Sequence, residues 1–274
     1  ARPHSPYDPP QRLLELYEGR NVSEPVVGEW CKDKEYAVLQ DVATAPKDAA
    51  FGNFGKEYAK KSRRYYYANV TFVDEEIGKV IKALKEEGMY DNALICYISD
   101  HGDMLGDHHH WRKTYPYEGS VHVPYIVKWP AKCGFAKGGK VEAPVELRDL
   151  LPTFLDMAGG KVPEDMDGCS LAGLMRDGDG AWRKYIDLEH ATCYSPDNYW
   201  CALTDGKVKY VWRFHTGEEE LFDLSKDPYE LKNVVNEKRY RSLLLTLRKA
   251  MVEHLSERGE EFVKEDKLQV LRHT

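Results

Sequence analysis

Residues 94–130 constrain what this chain can fold into more than any other stretch of its 274 residues. They open on a short apolar run, Leu94-Ile95-Cys96-Tyr97-Ile98, with the length and β-rich composition of a buried strand. The run stops at Ser99-Asp100-His101-Gly102-Asp103. From Asp100 to Arg112 the chain then delivers three Asp, four His and one Arg, with Lys113 next. A second apolar run at 121–129 restores strand-like composition. Acidic, metal-competent and cationic side chains thus lie on a loop at the end of a buried strand. In open α/β sheets that is where ligands bind.

The flanking pattern extends this reading. From Tyr65 the apolar residues Val70, Val73, Ile77, Val80, Ile81 and Leu84 recur at three- and four-residue steps, which predicts a helix with one buried stripe. Gly88 and the lysines Lys82 and Lys85 mark its end. Helix, loop, strand, loop and strand is an α/β order that predicts a mostly parallel sheet. Residues 146–158 read as a second helix with Leu147, Leu150, Leu151, Phe154 and Leu155 on an apolar face, and Pro152 kinks it or marks its start. Upstream, residues 1–60 are irregular apart from a short amphipathic turn at 13–17.

From Trp182 the composition shifts to short β-like runs at 185–188, 199–203, 208–214 and 220–224, with Asp205-Gly206 as a hairpin signal. A final helix at about 239–258 carries Leu243, Leu244, Leu247, Met251 and Leu255 at helical spacing. The expected organisation is therefore an α/β part over 1–181, and over 182–274 a small antiparallel sheet with a covering helix.

Charge and hydropathy exclude several classes. The net charge of −7 disfavours a nucleic-acid surface, yet a metal and a few local cations can still dominate one anion-binding pocket. No run approaches the ~18–20 apolar residues of a membrane span. The N-terminal ARPHSPYDPPQ lacks a basic region followed by an apolar core, and its prolines do not open a domain. It reads as a chain that starts mid-protein. The six cysteines show no zinc-type spacing; a bridge between Cys193 and Cys201 is possible but not required.

Asp100 and His101 are adjacent at a strand end, where a carboxylate oxygen and an imidazole nitrogen can converge on a divalent cation. His108, His109 and His110 lack the second cluster that a zinc site needs; one or two of them are expected to face the pocket. Lys113, between Trp111 and Tyr115, is placed to aim its ammonium at an anionic group.

These residues carry a resemblance. Ser99 to His108, then Trp111-Arg112-Lys113 and His122-Val123-Pro124, resemble the signature run of the type I sulfatases, within the alkaline-phosphatase-like superfamily. Pro3-His4-Ser5-Pro6, Leu150-Leu151-Pro152-Thr153, Asp167-Gly168-Cys169 and Glu220-Leu221-Phe222-Asp223-Leu224 resemble further markers, so the match runs nearly end to end. The resemblance implies an alkaline-phosphatase-like sandwich and hydrolysis of a small-molecule or glycan sulfate ester. It implies Asp100 and His101 as ligands of a divalent metal, usually Ca2+. Lys113 and His4 would be the catalytic groups on the sulfate, with His108 and His110 as lesser substrate contacts. A periplasmic or secreted location follows from the resemblance alone.

The same family uses a formylglycine made from Cys or Ser in a C/S-x-P/A-x-R motif. No cysteine here has Arg four residues on, and no Ser-x-Pro-x-Arg occurs. The nucleophile and half of the metal site are therefore expected in a missing N-terminal part of the same protein, with this chain inactive alone. Two other readings stand beside the sulfatase: a phosphonate monoester or phosphodiester hydrolase of the same superfamily, and a non-catalytic binding protein with a degenerate site.

Overall fold

A computed structural model describes residues 2–31, 51–135, 137–178, 182–191 and 198–272. The proposed boundary at 181/182 and Cys193 lie outside the described residues. Over the described residues 2–31 the start holds α1 (Gln11–Leu14) with a 3-10 turn after it, where the 13–17 pattern places one, and a second 3-10 turn at Glu29–Cys31. The long helix α2 (Lys56–Glu86) begins nine residues before the expected Tyr65. It ends where Gly88, at φ 65°, turns the chain so that Met89 N donates to Leu84 O at 2.8 Å.

The buried face of α2 is not the predicted apolar stripe. Its buried residues are Ala59, Ser62, Arg63, Ala68 and Asn69, whereas Val80 is 61% exposed and Val70 also faces solvent. Phe72, Val73, Ile77 and Val80 line an open groove with Arg2. The face that packs is the polar one, because Arg63 and Asn69 have partners in the loop and the N-terminal segment.

Strand β1 (Ile95–Ile98) follows a 3-10 turn, in place of the run at 94–98. Of the second apolar run, the single turn α3 (Glu118–Val121) takes the start and β2 (Tyr125–Lys128) the end. Pro124 lies just before the strand, where its missing N–H breaks no ladder bond. The expected mostly parallel sheet is represented among the described residues by an antiparallel pair, Ile95 opposite Lys128 and Ile98 opposite Tyr125. An antiparallel strand on an otherwise parallel sheet is common, and helix–strand order alone does not fix which neighbour a strand takes.

The helix predicted at 146–158 resolves into a 3-10 turn (Leu147–Asp149) and α4 (Leu150–Met157). Glu146 and Asp149 form a reciprocal capping box on the turn. Pro152 falls in the first turn of α4, where no intrahelical donor is lost, so it marks the start and does not kink the helix. The expected apolar face is again uncovered, with Leu151 56% exposed and Leu147 and Phe154 also at the surface. What α4 buries is Pro152 and Thr153, against the loop that leads to α5 (Leu171–Asp177).

The C-terminal region follows the expectation closely. β3 (Ile186–His190), β4 (Trp200–Thr204), β5 (Val208–Arg213) and β6 (Glu219–Asp223) form one antiparallel sheet in chain order. α6 (Arg241–Leu255) covers it, and Leu244, Leu247, Met251 and Leu255 pack on Leu203, Tyr210, Trp212 and Leu221. β7 (Val263–Lys264) and β8 (Lys267–Leu268) add a short hairpin. The second face of the sheet is also buried. Phe222 and Leu224 pack with Met104, Tyr115 and Tyr117, and Trp200, Ala202 and Val211 pack with Val121. That contact presses the sheet against the loop that carries the candidate site.

Candidate active site

The site begins where β1 ends. Ser99 Oγ donates to His101 O at 2.7 Å, and His101 N donates to Asp100 Oδ1 at 3.1 Å, so a tight turn presents the Asp-His pair. Gly102 N then donates to Ser120 O at 2.7 Å. A Cβ at Gly102 would fall on the Gly119 carbonyl oxygen, so this close approach admits only glycine.

His101 Nδ1 lies 2.8 Å from Gly102 O, a contact that needs the proton on Nδ1. The lone pair on Nε2 is then directed outward, the state required of a metal-ligating imidazole. Nε2 is 3.8 Å from Asp100 Oδ2, a separation that one cation can bridge at about 2.3–2.6 Å per ligand. The donor chemistry fits a divalent cation. Among the described residues no group of three or more His, Cys, Asp or Glu side chains converges, so this pair is a partial ligand set.

The opposite wall comes from the start of the chain. His4 stands edge-on to His101 with ring centroids 5.8 Å apart, and Lys113 Nζ is 2.5 Å from His4 Nε2. His4 Nδ1 is 2.6 Å from Ser5 O. Both contacts are satisfied by one arrangement: Nδ1–H donates to the carbonyl, and Nε2 accepts from the ammonium. Four of the six expected site residues, His4, Asp100, His101 and Lys113, therefore meet in one place.

His108 and His110 are placed elsewhere. His108 is buried, accepts from Gly28 N at 3.0 Å on Nδ1, and sits 5.0 Å from the Trp30 ring and 5.5 Å from Tyr117, centroid to centroid. Burial pushes its pKa down to about 4, so the ring is neutral at ordinary pH. His110 is also buried, edge-on to Tyr115 at 4.2 Å, with Nδ1 2.6 Å from His108 O. His108 and His110 thus serve the aromatic packing beneath the loop; the polar composition of the run hid that.

Residues without an assigned role in the sequence hold the loop in place. Asp103 accepts from Leu105 N and Arg112 N on Oδ1, both at 3.0 Å, and from the Tyr7 hydroxyl on Oδ2 at 2.7 Å. It thereby ties the His4 segment to the Lys113 segment. Arg63 reaches from α2 to Asp107 at 2.5 Å, to Leu105 O at 3.1 Å and to Ser23 Oγ at 2.9 Å. The one legible signal was Asp103 itself, inside the acidic run. Nothing in an α2 sequence rich in Lys and Arg singles out Arg63.

Two side chains that could hold a cation lie beside an ammonium and an imidazole, an arrangement suited to a tetrahedral anion. The sulfatase family profile matches residues 2–160, more than half of the chain. The chain belongs to the sulfatase family. The C-terminal profile of N-sulphoglucosamine sulphohydrolase also matches, over residues 106–257. An arylsulfatase of Clostridium perfringens is 37% identical over 98% of this chain and 54% of its own length. A choline-sulfatase of Rhizobium meliloti is 33% identical over 87% of this chain and 46% of its own length. The chain thus spans about half the length of these relatives. A solved phosphonate monoester hydrolase from Silicibacter pomeroyi superposes with a TM-score of 0.76 at 26% identity, covering 100% of this chain and 59% of that one. Among the described residues no helix is long and apolar enough to cross a membrane.

Proposed function

We propose that this chain supplies one half of the active site of a protein that hydrolyses sulfate esters. The observation that carries the reading is the meeting of Asp100, His101 and Lys113, on the loop after β1, with His4 from the start of the chain, 109 residues before Lys113. Asp100 and His101 are two ligands of a divalent cation, Ca2+ by the family resemblance. When bound, that cation neutralises charge on the transferred group. Lys113 binds the ester's anionic oxygens through Nζ. Once it does so, His4 Nε2 is released from the lysine; exposed to water, it can take up a proton from solvent and pass that proton to the leaving oxygen. The nucleophile, a formylglycine, belongs to sequence outside this chain, as do the remaining ligands.

The uncovered apolar faces of β2, α2 and α4 are what that further sequence covers. Support comes from the exposed Ile126, Val80 and Leu151 together with relatives about twice as long. The substrate class is a small-molecule or glycan sulfate ester, and the setting periplasmic or secreted. The likeness to the phosphonate monoester hydrolase favours a second reading, cleavage of a phosphonate ester by the same groups.

The full-length protein separates these readings. It is expected to turn over 4-nitrophenyl sulfate with a higher kcat/KM than a 4-nitrophenyl phosphonate ester; the reverse order selects the second reading. Asp100→Ala should lose metal and turnover together. Lys113→Ala should lose about 10²–10³-fold in kcat with metal retained. Normal turnover by Lys113→Ala would refute its role, and inactivity on both esters in a metal-loaded protein would leave a binding protein.

A further inference from the structure

Lys113 lies between two residues in the left-handed backbone region, Arg112 at φ 65° and Thr114 at φ 94°. For a β-branched residue such as Thr114 this conformation is strained, and it persists only where the surroundings over-determine it. On one side the constraint is the bond from Arg112 N to Asp103. On the other it comes from the C-terminal sheet. The Thr114 carbonyl accepts from Trp200 Nε1 at 2.9 Å and from Asn198 Nδ2 at 3.1 Å, and the same Asn198 amide reaches Thr114 Oγ1 at 3.1 Å. Two donors use both lone pairs of that oxygen, and their residues are 2% and 6% exposed. The Trp200 ring is anchored independently of this bond. It packs with Ala202 and Val211 and stacks on His190, centroids 6.0 Å apart and planes within 17°.

We propose that Asn198 and Trp200 are positioning residues for Lys113. By gripping the Thr114 carbonyl they hold residues 112–114 in a strained path that aims the ammonium at His4 and the reacting group. The inference rests on the sulfate-ester reading above, because the group being positioned is the one that reading assigns to the anion. It gives the C-terminal sheet a part in the reaction without contact with substrate.

The test uses the full-length enzyme. Trp200→Phe keeps an aromatic ring in the pocket and removes the donor, with some loss of buried indole packing, and Asn198→Ala removes the other. Each should lower kcat on 4-nitrophenyl sulfate on the order of tenfold, with KM and bound metal near those of the parent. The deciding measurement is a double-mutant cycle. In a Lys113→Ala background, Trp200→Phe should cause no further loss, because the group it aims is gone. Additive losses, or unchanged kcat in both single variants, overturn the proposal. If Trp200→Phe does not fold, the cycle on Asn198→Ala decides in the same way. An active parent and an impaired Lys113→Ala, with Trp200→Phe and Asn198→Ala both unaffected, refute the clamp alone. A parent active only on the phosphonate ester moves the cycle to that substrate, and inactivity on both overturns clamp and activity together.

Discussion

The C-terminal sheet and the β1–β2 pair are built from equally plain strand sequences, yet one is closed on both faces and the other stands open. β4 is buried along its whole length, whereas Ile126 in β2 is 62% exposed. On the sheet, one face meets the apolar stripe of α6 and the other meets the site loop. That second face is charged. Lys209, fully buried, donates to Glu118 at 2.7 Å and to Glu230 at 2.8 Å, while Arg213 donates to Glu220 at 2.7 Å and to the Tyr117 hydroxyl at 3.0 Å. Glu230 Oε2 in turn accepts from Glu118 N at 2.7 Å. A hydrophobic pattern states which face needs a cover. It does not state whether the cover lies in the same chain.

The largest effect should come from the closed region. Lys209→Met leaves Glu230, itself buried, without its cation, and removing one partner of a buried pair costs about 3–5 kcal/mol. Urea unfolding of this chain should show that loss; a cost near zero would mean the network is dispensable and the two regions differ only in coverage. The open region should respond weakly. Ile126→Lys in the same chain should stay within about 0.5 kcal/mol, the usual range for a surface substitution. In the full-length protein the same change should cost several times more, and equal costs in both would contradict a covering segment over β2.

The smallest effect concerns pH at the seam between the regions. Burial alone would raise the Glu118 carboxyl, but hydrogen bonds from His122 and Lys209 outweigh it and bring its pKa down to about 2. Its contribution is present above the ordinary carboxylate range and is lost as pH falls toward about 2. The hydrogen bond to Glu118 raises the His122 pKa. That contribution is complete below the ordinary imidazole value and fades as pH rises through the raised one. Because His122 is largely exposed, solvent and salt keep the term small. His122→Ala should flatten a shallow loss of thermal midpoint on the alkaline side and also make the acid-side loss smaller, because Glu118 loses one of the bonds that lower its pKa. An unchanged alkaline limb would assign it to another group.

Much of this fold was legible because local chemistry is self-contained. The Asp205-Gly206 hairpin, the α6 stripe and the stop at Gly88 each depend on neighbours a few residues away. Asp100, His101 and Lys113 could be named as candidate site residues because ligand and cation types crowd one strand-end loop. The buried roles of His108 and His110 were not legible, since a histidine looks the same whether it faces water or the rings of Trp30 and Tyr117. Nor was the polar packing face of α2, where Arg63 satisfies a loop from a helix with a clearer apolar stripe elsewhere.

The strand ending in Ser99-Asp100-His101, the loop composition after it and the helical and strand periods were determined by sequence alone, because they follow from short-range sterics and side-chain type. Only the tertiary structure decided that His4 lies against Lys113 across 109 residues, and that a lysine in a strand, Lys209, is wholly buried. It also decided that Asn198 and Trp200 hold the Thr114 carbonyl. Each of these depends on which surfaces pack together, and a buried charge or a strained backbone survives only where distant partners satisfy it.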